Sequence, residues 1–200
     1  MKRQYAEILF WGSCWGLLEG SLGYVIHRFA VAIPGLPGFI LFPAAFWLIQ
    51  KAVDSSGRKD IVIKMSIIAA SLKLLDFLIP GHDAIRIINP ALSILMEGFA
   101  VMVIMNVKSE SKLISNFRAG FLWRGIFLIY MVVLSWFNLP AGLVTSGISV
   151  ALQFLIAESA VNAVIISLIQ SLDHLKIRFV PSWRIAIPVC VITIGSMWVF

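Results

Sequence analysis

The chain alternates long apolar stretches with short segments in which charged residues, prolines and glycines concentrate. An apolar stretch of about 20 residues is long enough to cross a bilayer as a helix. We therefore predict an all-α integral membrane protein, a bundle of six to seven transmembrane helices that occupies residues 1–200 as a single domain. The predicted spans are approximately residues 5–29, 39–53, 61–80, 88–107, 120–139, 148–172 and 185–200.

The second predicted span is short and contains Pro43, a pattern that fits either a kinked helix or a re-entrant segment. The segment before it, 32–38, reads Ala-Ile-Pro-Gly-Leu-Pro-Gly, which predicts a turn-rich loop and not a regular helix. Basic residues follow the second span at Arg58, Lys59 and Lys64. Because cytoplasmic loops are enriched in Lys and Arg, we predict that this segment crosses the membrane.

The distribution of basic residues also predicts the orientation. The N-terminus and the segments after the second, fourth and sixth spans are basic, whereas the other connections carry few cations beyond Arg28 and Arg86. This pattern indicates a cytoplasmic N-terminus. We expect a multi-pass protein of the cell membrane, a prokaryotic inner membrane. Near the predicted inner end of the fifth span, Trp123 is interpreted as an interfacial anchor and Arg124 as a snorkelling cation.

Composition agrees with a membrane protein. The sequence is 60% hydrophobic and 13% charged, against about 25% charged residues in soluble domains. The net charge of +6 would suggest nucleic acid in a soluble protein, but here basic cytoplasmic loops explain it. The lipid bilayer is therefore the predicted partner, and nucleic acid is not.

Polar residues recur at helical spacing inside the apolar stretches. Asn89, Ser93 and Glu97 are four apart, so on a helix they form one polar stripe. With a rise of about 1.5 Å per residue, Glu97 lies roughly 13 Å and Glu158 roughly 15 Å from the outer start of its span, and Glu19 reaches similar depth. A charge at the bilayer centre costs roughly 2.5–3.5 kcal/mol, so these side chains must face protein, a ligand or a cavity.

One cation accompanies these acids at the same depth. Lys73 and Asp76 are three apart, which predicts an ion pair between them. One lysine cannot neutralise four acids, so the remaining carboxyls must be protonated, hydrogen-bonded or paired with something that arrives from outside. A single glutamate could simply join two helices, but the group favours a solute site. The candidate substrate-binding residues are Glu19, His27, Lys73, Asp76, His82, Arg86, Asn89, Ser93, Glu97, Glu158 and Asn162.

Motifs of known enzyme classes are absent from the sequence. It contains no zinc-binding histidine pair, nucleophile elbow, phosphate-binding glycine loop or aspartate-rich metal motif. The sequence therefore does not favour an enzyme and predicts no cofactor. Any ATP that drives transport would have to bind a partner subunit.

Gly12, Gly16 and Gly20 form a ridge of small residues at four-residue spacing. Such a ridge lets another helix approach closely, either within this chain or from a separate subunit. Together with the small size, the predicted orientation and the segments 15–23 and 88–98, the ridge makes the chain resemble the substrate-binding component of an energy-coupling factor (ECF) transporter.

The resemblance implies that the glycine ridge docks onto a transmembrane coupling subunit and that two ATPases drive the cycle. It also implies a vitamin, a related micronutrient or a metal ion as solute, held under the loops after the first, third and fifth spans. The seventh span departs from that family, which usually has six.

Four functions follow from these features. The first is a solute-uptake component with an intramembrane acidic pocket open to the outside. The second is a stand-alone proton-coupled carrier that uses Glu19, Glu97 and Glu158. The third is an intramembrane enzyme acting on a lipid or prenyl substrate. The fourth is a structural subunit that binds no solute.

Overall fold

A computed structural model describes residues 2–29, 36–80, 83–109, 111–172 and 179–197. All regular structure within these ranges is helical, which confirms the predicted all-α class. The helices are α1 (Lys2–Leu17), α2 (Gly23–Phe29), α3 (Leu36–Ser56), α4 (Ile61–Leu74), α5 (Ala84–Met105), α6 (Lys112–Trp136), α7 (Gly142–Thr145), α8 (Ile148–Leu152), α9 (Glu158–Leu172) and α10 (Trp183–Met197).

Three short turns of other helical types extend these elements. A π-helical turn, Leu18–Leu22, joins α1 to α2 without a break, and a second, Gln153–Ala157, joins α8 to α9. A 3₁₀ turn, Leu75–Leu78, prolongs α4. The first and sixth predicted spans are therefore continuous rods that each contain one π turn.

The long helices form a ring. Helix α1 packs on α3 and α4, α4 on α5, α5 on α6, α6 on α9, and α9 on α3, which closes the ring. Helix α10 lies outside it, against α1. The ring therefore contains the first six predicted spans, and the seventh is peripheral.

Three described helices are long and apolar enough to cross a membrane. These are Ala84–Met105, Lys112–Trp136 and Ile148–Leu172, with mean hydropathies of 1.9, 1.6 and 1.9 over their most apolar windows. The segment Trp183–Ser196 is also apolar but shorter. The fold is thus an all-helical bundle with membrane-spanning capacity.

The beginning of α3 differs from the prediction. Residues 36–38, predicted as loop, form the first turn of this helix, and the chain continues through Pro43 to Ser56 as one helix. Pro37 is tolerated there because the first-turn amide N–H has no partner within the helix, so its absence costs nothing. The loop prediction was wrong for these three residues.

Helix α6 also begins earlier than predicted. It starts at Lys112 and runs for 25 residues, whereas the sequence was interpreted as a basic loop as far as Arg118. Lysines and arginines at the end of a helix can reach water while the backbone remains helical. The earlier start moves Trp123 and Arg124 from the end of the helix to its middle.

The glycine ridge of α1 packs within the chain. A β-carbon at Gly12 would lie 2.6 Å from Cβ of Ile68, and one at Gly16 would lie 3.0 Å from Cδ1 of Leu72. Both neighbours belong to α4, and Gly20 is buried in the first π turn. Of the two interpretations of the ridge, packing within the chain describes Gly12 and Gly16.

Candidate functional site

A cavity of about 720 Å³ lies inside the ring. It is close to the end of the bundle that carries the 137–147 connection, and α7 of that connection contributes one wall residue. The cavity is lined by Glu19, Pro37, Gly38, Leu41, Phe42, Asn89, Pro90, Ser93, Glu97, Trp123, Phe127, Leu143, Val150, Gln153, Phe154 and Glu158. Five of the predicted site residues, from three separate helical rods, therefore meet in one space.

Two of the three glutamates lie at the π turns. Glu19 is inside the turn Leu18–Leu22, and Glu158 directly follows the turn Gln153–Ala157. A π turn is rare within helices and is found frequently at functional sites, because the extra residue changes which side chains face inward. Neither turn was predicted, since no simple sequence signal marks a π turn.

The stripe on α5 faces the cavity as its spacing predicted. Glu97 is 5% exposed, and its Oε1 accepts a hydrogen bond from Oγ of Ser93 at 3.1 Å. Oε2 of Glu97 has no hydrogen-bond partner among the described residues. At the N-terminal end of the stripe, Oδ1 of Asn89 accepts a hydrogen bond from the hydroxyl of Tyr130 at 2.8 Å.

Arg124 is a functional candidate that the sequence analysis missed. Its side chain is fully buried, and Nη2 lies 3.5 Å from Oε2 of Glu158. The guanidinium stands 4.6 Å from the ring centre of Trp123 and 5.3 Å from that of Phe154, within cation–π range. The snorkelling interpretation was wrong because the helix start was placed at residue 120 and not at Lys112.

The first turn of α3 covers this ion pair. The carbonyl oxygen of Gly38 accepts a hydrogen bond from Nδ2 of Asn162 at 2.9 Å and one from Nη2 of Arg124 at 3.5 Å. A β-carbon at residue 38 would lie 3.2 Å from Oε2 of Glu158. The absence of a side chain at Gly38 thus permits the close approach. Asn162 does not line the cavity, but its hydrogen bond to Gly38 holds a residue that does.

An aromatic cluster forms the apolar wall of the cavity. Its members are Phe42, Trp123, Phe127 and Phe154, with centroids of neighbouring rings 5.5–6.2 Å apart. Trp123 is 4% exposed, so its interpretation as an interfacial anchor was also wrong. The wall offers ring faces and edges to whatever occupies the cavity.

Other predicted site residues lie elsewhere. The ion pair between Lys73 and Asp76 is confirmed, with Nζ 2.6 Å from Oδ2, but neither residue lines the cavity. Arg86 is exposed and contacts Asp83 at 3.3 Å, so it does not belong to the site. His82 lies outside the described residues, and so does the side chain of His27.

At the end of the bundle opposite the 137–147 connection, a surface carboxylate is paired with two cations. In the connection between α3 and α4, Asp60 accepts hydrogen bonds from Arg58 and from Lys64. These cations, with Arg58 the stronger influence, lower the pKa of Asp60 to about 2. Asp60 is therefore held ionised by two cations at the surface.

The cavity has more acids than bases. Three carboxyls line it, Arg124 contacts one of them, and Lys73 is held by Asp76. Within the described ranges, no three His, Cys, Asp or Glu side chains gather closely enough to hold a metal ion. The lining of the site combines carboxyl groups with aromatic surface.

No family model, no curated protein and no solved structure matches this chain.

Proposed function

We propose that this chain is the solute-binding component of a membrane uptake system, with the acidic cavity open to the outside of the cell. In this proposal the six rods of the ring cross the bilayer, α10 forms a seventh span, and the N-terminus is cytoplasmic. The solute is a small organic molecule that carries both polar and apolar groups.

The observation that carries the proposal is the meeting of Glu19, Glu97 and Glu158 in one cavity. Its volume of about 720 Å³ falls within the roughly 300–1,000 Å³ typical of small-molecule sites. If the glutamates only joined helices, their oxygens would bond to neighbouring side chains, yet Oε2 of Glu97 has no partner among the described residues. An unpartnered buried carboxylate next to empty space is typical of a ligand position.

The location of the cavity supports access from outside. Much of its lining comes from the beginning of α3, the first half of α5 and the α7–α8 segment, which lie near one end of the ring. The basic connections 57–60 and 106–109 lie at the opposite end. Because basic connections face the cytoplasm, the cavity end would face outward.

We further propose that the system is of the energy-coupling factor type, as the sequence resemblance implies. A ring of six helices with a ligand cavity near the outer end agrees with that proposal. A coupling subunit would need a docking surface other than the predicted glycine ridge. Gly12 and Gly16 are covered by α4, and Gly16 is also covered by Thr193 of α10. A coupling subunit would have to displace α10 or dock beside it.

Mass spectrometry of small molecules retained by the purified protein tests the proposed function. We expect one abundant compound to copurify with the wild type and to be lost in Glu97→Gln. Glu7→Gln is the matched control, because Glu7 is as buried as Glu97 but does not line the cavity and pairs with Arg3. If no compound is retained in stoichiometric amount by any of the three proteins, the proposed function is wrong.

Affinity purification separates an ECF-type component from a stand-alone carrier. Two ATPases and a coupling subunit should copurify with the tagged chain under mild detergent conditions. Recovery of the chain alone, together with uptake in vesicles that contain no other protein, would assign the transport to a stand-alone carrier.

A further inference from the structure

We propose that the solute is an amphipathic organic cation, with an ammonium-type head held by Glu97 and Glu19 and an apolar body packed on the aromatic cluster. This inference rests on the proposed function and specifies the chemical class of the solute.

The first step is the charge of the cavity. Arg124 lies 3.5 Å from Glu158 and compensates that carboxylate. Among the described side chains, no basic group lies within ion-pair distance of Glu97 or Glu19, and Lys73 is engaged 2.6 Å from Asp76. Glu97 and Glu19 thus have no ion-pair partner among the described residues. A positive group from outside would compensate them when they are ionised, since burying an uncompensated charge is strongly unfavourable.

The second step is the direction of hydrogen bonding at Glu97. Its Oε1 accepts a hydrogen bond from Ser93, and its Oε2 has no partner among the described residues, so the carboxylate can accept one more donor. An ammonium group supplies donors and charge together, which makes the contact shorter and stronger than a neutral hydrogen bond. A carboxylate or phosphate ligand would be repelled at the same position.

The third step is the composition of the remaining wall. Phe42, Phe127 and Phe154 present aromatic carbon to the cavity, beside aliphatic Leu41 and Val150. A bare inorganic cation or a heavily hydroxylated solute would leave this surface uncovered, whereas an apolar body would cover it. The rings next to Arg124 already accommodate a cation through their faces, so the same wall tolerates positive charge.

A matched series of three probes tests the inference. The probes share a phenyl ring on a two-carbon chain and end in an ammonium group (2-phenylethylammonium), a methyl group (propylbenzene) or a carboxylate (3-phenylpropanoate). Binding is measured by isothermal titration calorimetry on the protein in lipid nanodiscs, with empty nanodiscs correcting for partition into lipid. We expect 2-phenylethylammonium to bind and the other two probes to bind at least about tenfold more weakly, as expected for loss of a charged hydrogen bond.

Two variants locate the ammonium group. Glu97→Gln and Glu19→Gln should each weaken binding of 2-phenylethylammonium by about 10- to 100-fold. Glu7→Gln should leave it unchanged. Thermal unfolding of each variant in the same nanodiscs shows whether it is folded, and a single folded variant of the pair is enough for the test.

Failure of this inference differs from failure of the proposed function. If propylbenzene or 3-phenylpropanoate binds as tightly as the ammonium probe, or if the copurified solute has no positive charge, the cation assignment is overturned while solute binding stands. If the wild type binds no probe and retains no compound, both are overturned.

Discussion

Two polar clusters lie between helices α6 and α9. The two clusters differ in how many of their polar atoms have hydrogen-bond partners. Toward the cytoplasmic end of the proposed topology, Nδ2 of Asn116 donates to Ser167 at 3.0 Å and to Gln170 at 3.1 Å. Toward the cavity, Arg124 lies 3.5 Å from Glu158, and Nε of Arg124 has no hydrogen-bond partner among the described residues.

The difference between the two clusters indicates where this chain would bind a ligand. The Asn116 cluster shows that a neighbouring helix can supply side-chain acceptors for the NH2 group of a buried amide. Around the cavity the hydrogen bonding is incomplete, because Nε of Arg124 and Oε2 of Glu97 have no partner among the described residues. Incomplete bonding of buried polar groups lowers stability, so it is expected where a ligand completes the arrangement.

The largest effect is expected from Arg124→Leu. This change leaves Glu158 buried without its cation, and breaking a buried pair costs about 3–5 kcal/mol in the free energy of unfolding. Thermal or denaturant unfolding in mild detergent measures it. The double variant Arg124→Leu with Glu158→Leu should recover most of the loss, because no unpaired charge remains. Wild-type stability of Arg124→Leu alone would show that the pair is not formed.

Gly12→Ala should have the next largest effect, because both clusters depend on a ring whose helices are held in fixed positions. The new β-carbon would lie 2.6 Å from Cβ of Ile68 and 2.9 Å from the carbonyl oxygen of Met65. Overpacking of this kind costs about 1–3 kcal/mol. Gly125→Ala is the matched control: its nearest neighbour would be Cδ1 of Leu155 at 3.9 Å, so no loss is expected. Equal stability of the two variants would contradict close packing of α1 on α4.

Asn116→Leu should separate stability from solute binding. It removes two hydrogen bonds and leaves Ser167 and Gln170 with fewer partners, at an expected cost of about 1–3 kcal/mol. Retention of the copurified solute should not change. Glu97→Gln should show the opposite behaviour, with solute lost and no loss of stability, because a buried charge has been removed. Loss of solute in a folded Asn116→Leu protein would remove the distinction between the two clusters.

The smallest effect is expected at the basic end, from Asp60→Asn. The pKa of Asp60 is lowered to about 2, so its contribution to stability is present above its ordinary pKa near 4 and is lost as pH falls toward 2. Because Asp60 is exposed, the contribution is below about 1 kcal/mol. The free energies of unfolding of wild type and variant should therefore differ slightly at pH 7, and the difference should shrink as the pH falls to 2. A difference as large at pH 2 as at pH 7 would assign the effect to something other than ionisation.

The pattern of hydrophobic residues predicted the order of the long helices along the chain. It also predicted the stripe of Asn89, Ser93 and Glu97, because helical spacing fixes which residues share a face. Helix ends were less predictable, since Lys112 begins a helix although charge suggested a loop, and Pro37 lies within a first turn where its ring is harmless.

The pairing of Arg124 with Glu158 could not be predicted from spacing, because it joins different helices. A depth count from the true start of α6 would have placed Arg124 in the middle of the bilayer and made it a site candidate. The two π turns changed the inward-facing set near Glu19 and Glu158 without a visible signal in the sequence. The cavity itself depends on how six helices pack, which lies beyond local pattern.

An experimental density map of the purified wild-type protein in lipid tests the central claim most directly. We predict non-protein density inside the ring, in contact with the carboxyl of Glu97 and with the aromatic cluster, while Arg124 remains paired with Glu158. A cavity closed by neighbouring side chains, with both oxygens of Glu97 bonded within the protein, would contradict the proposed binding site.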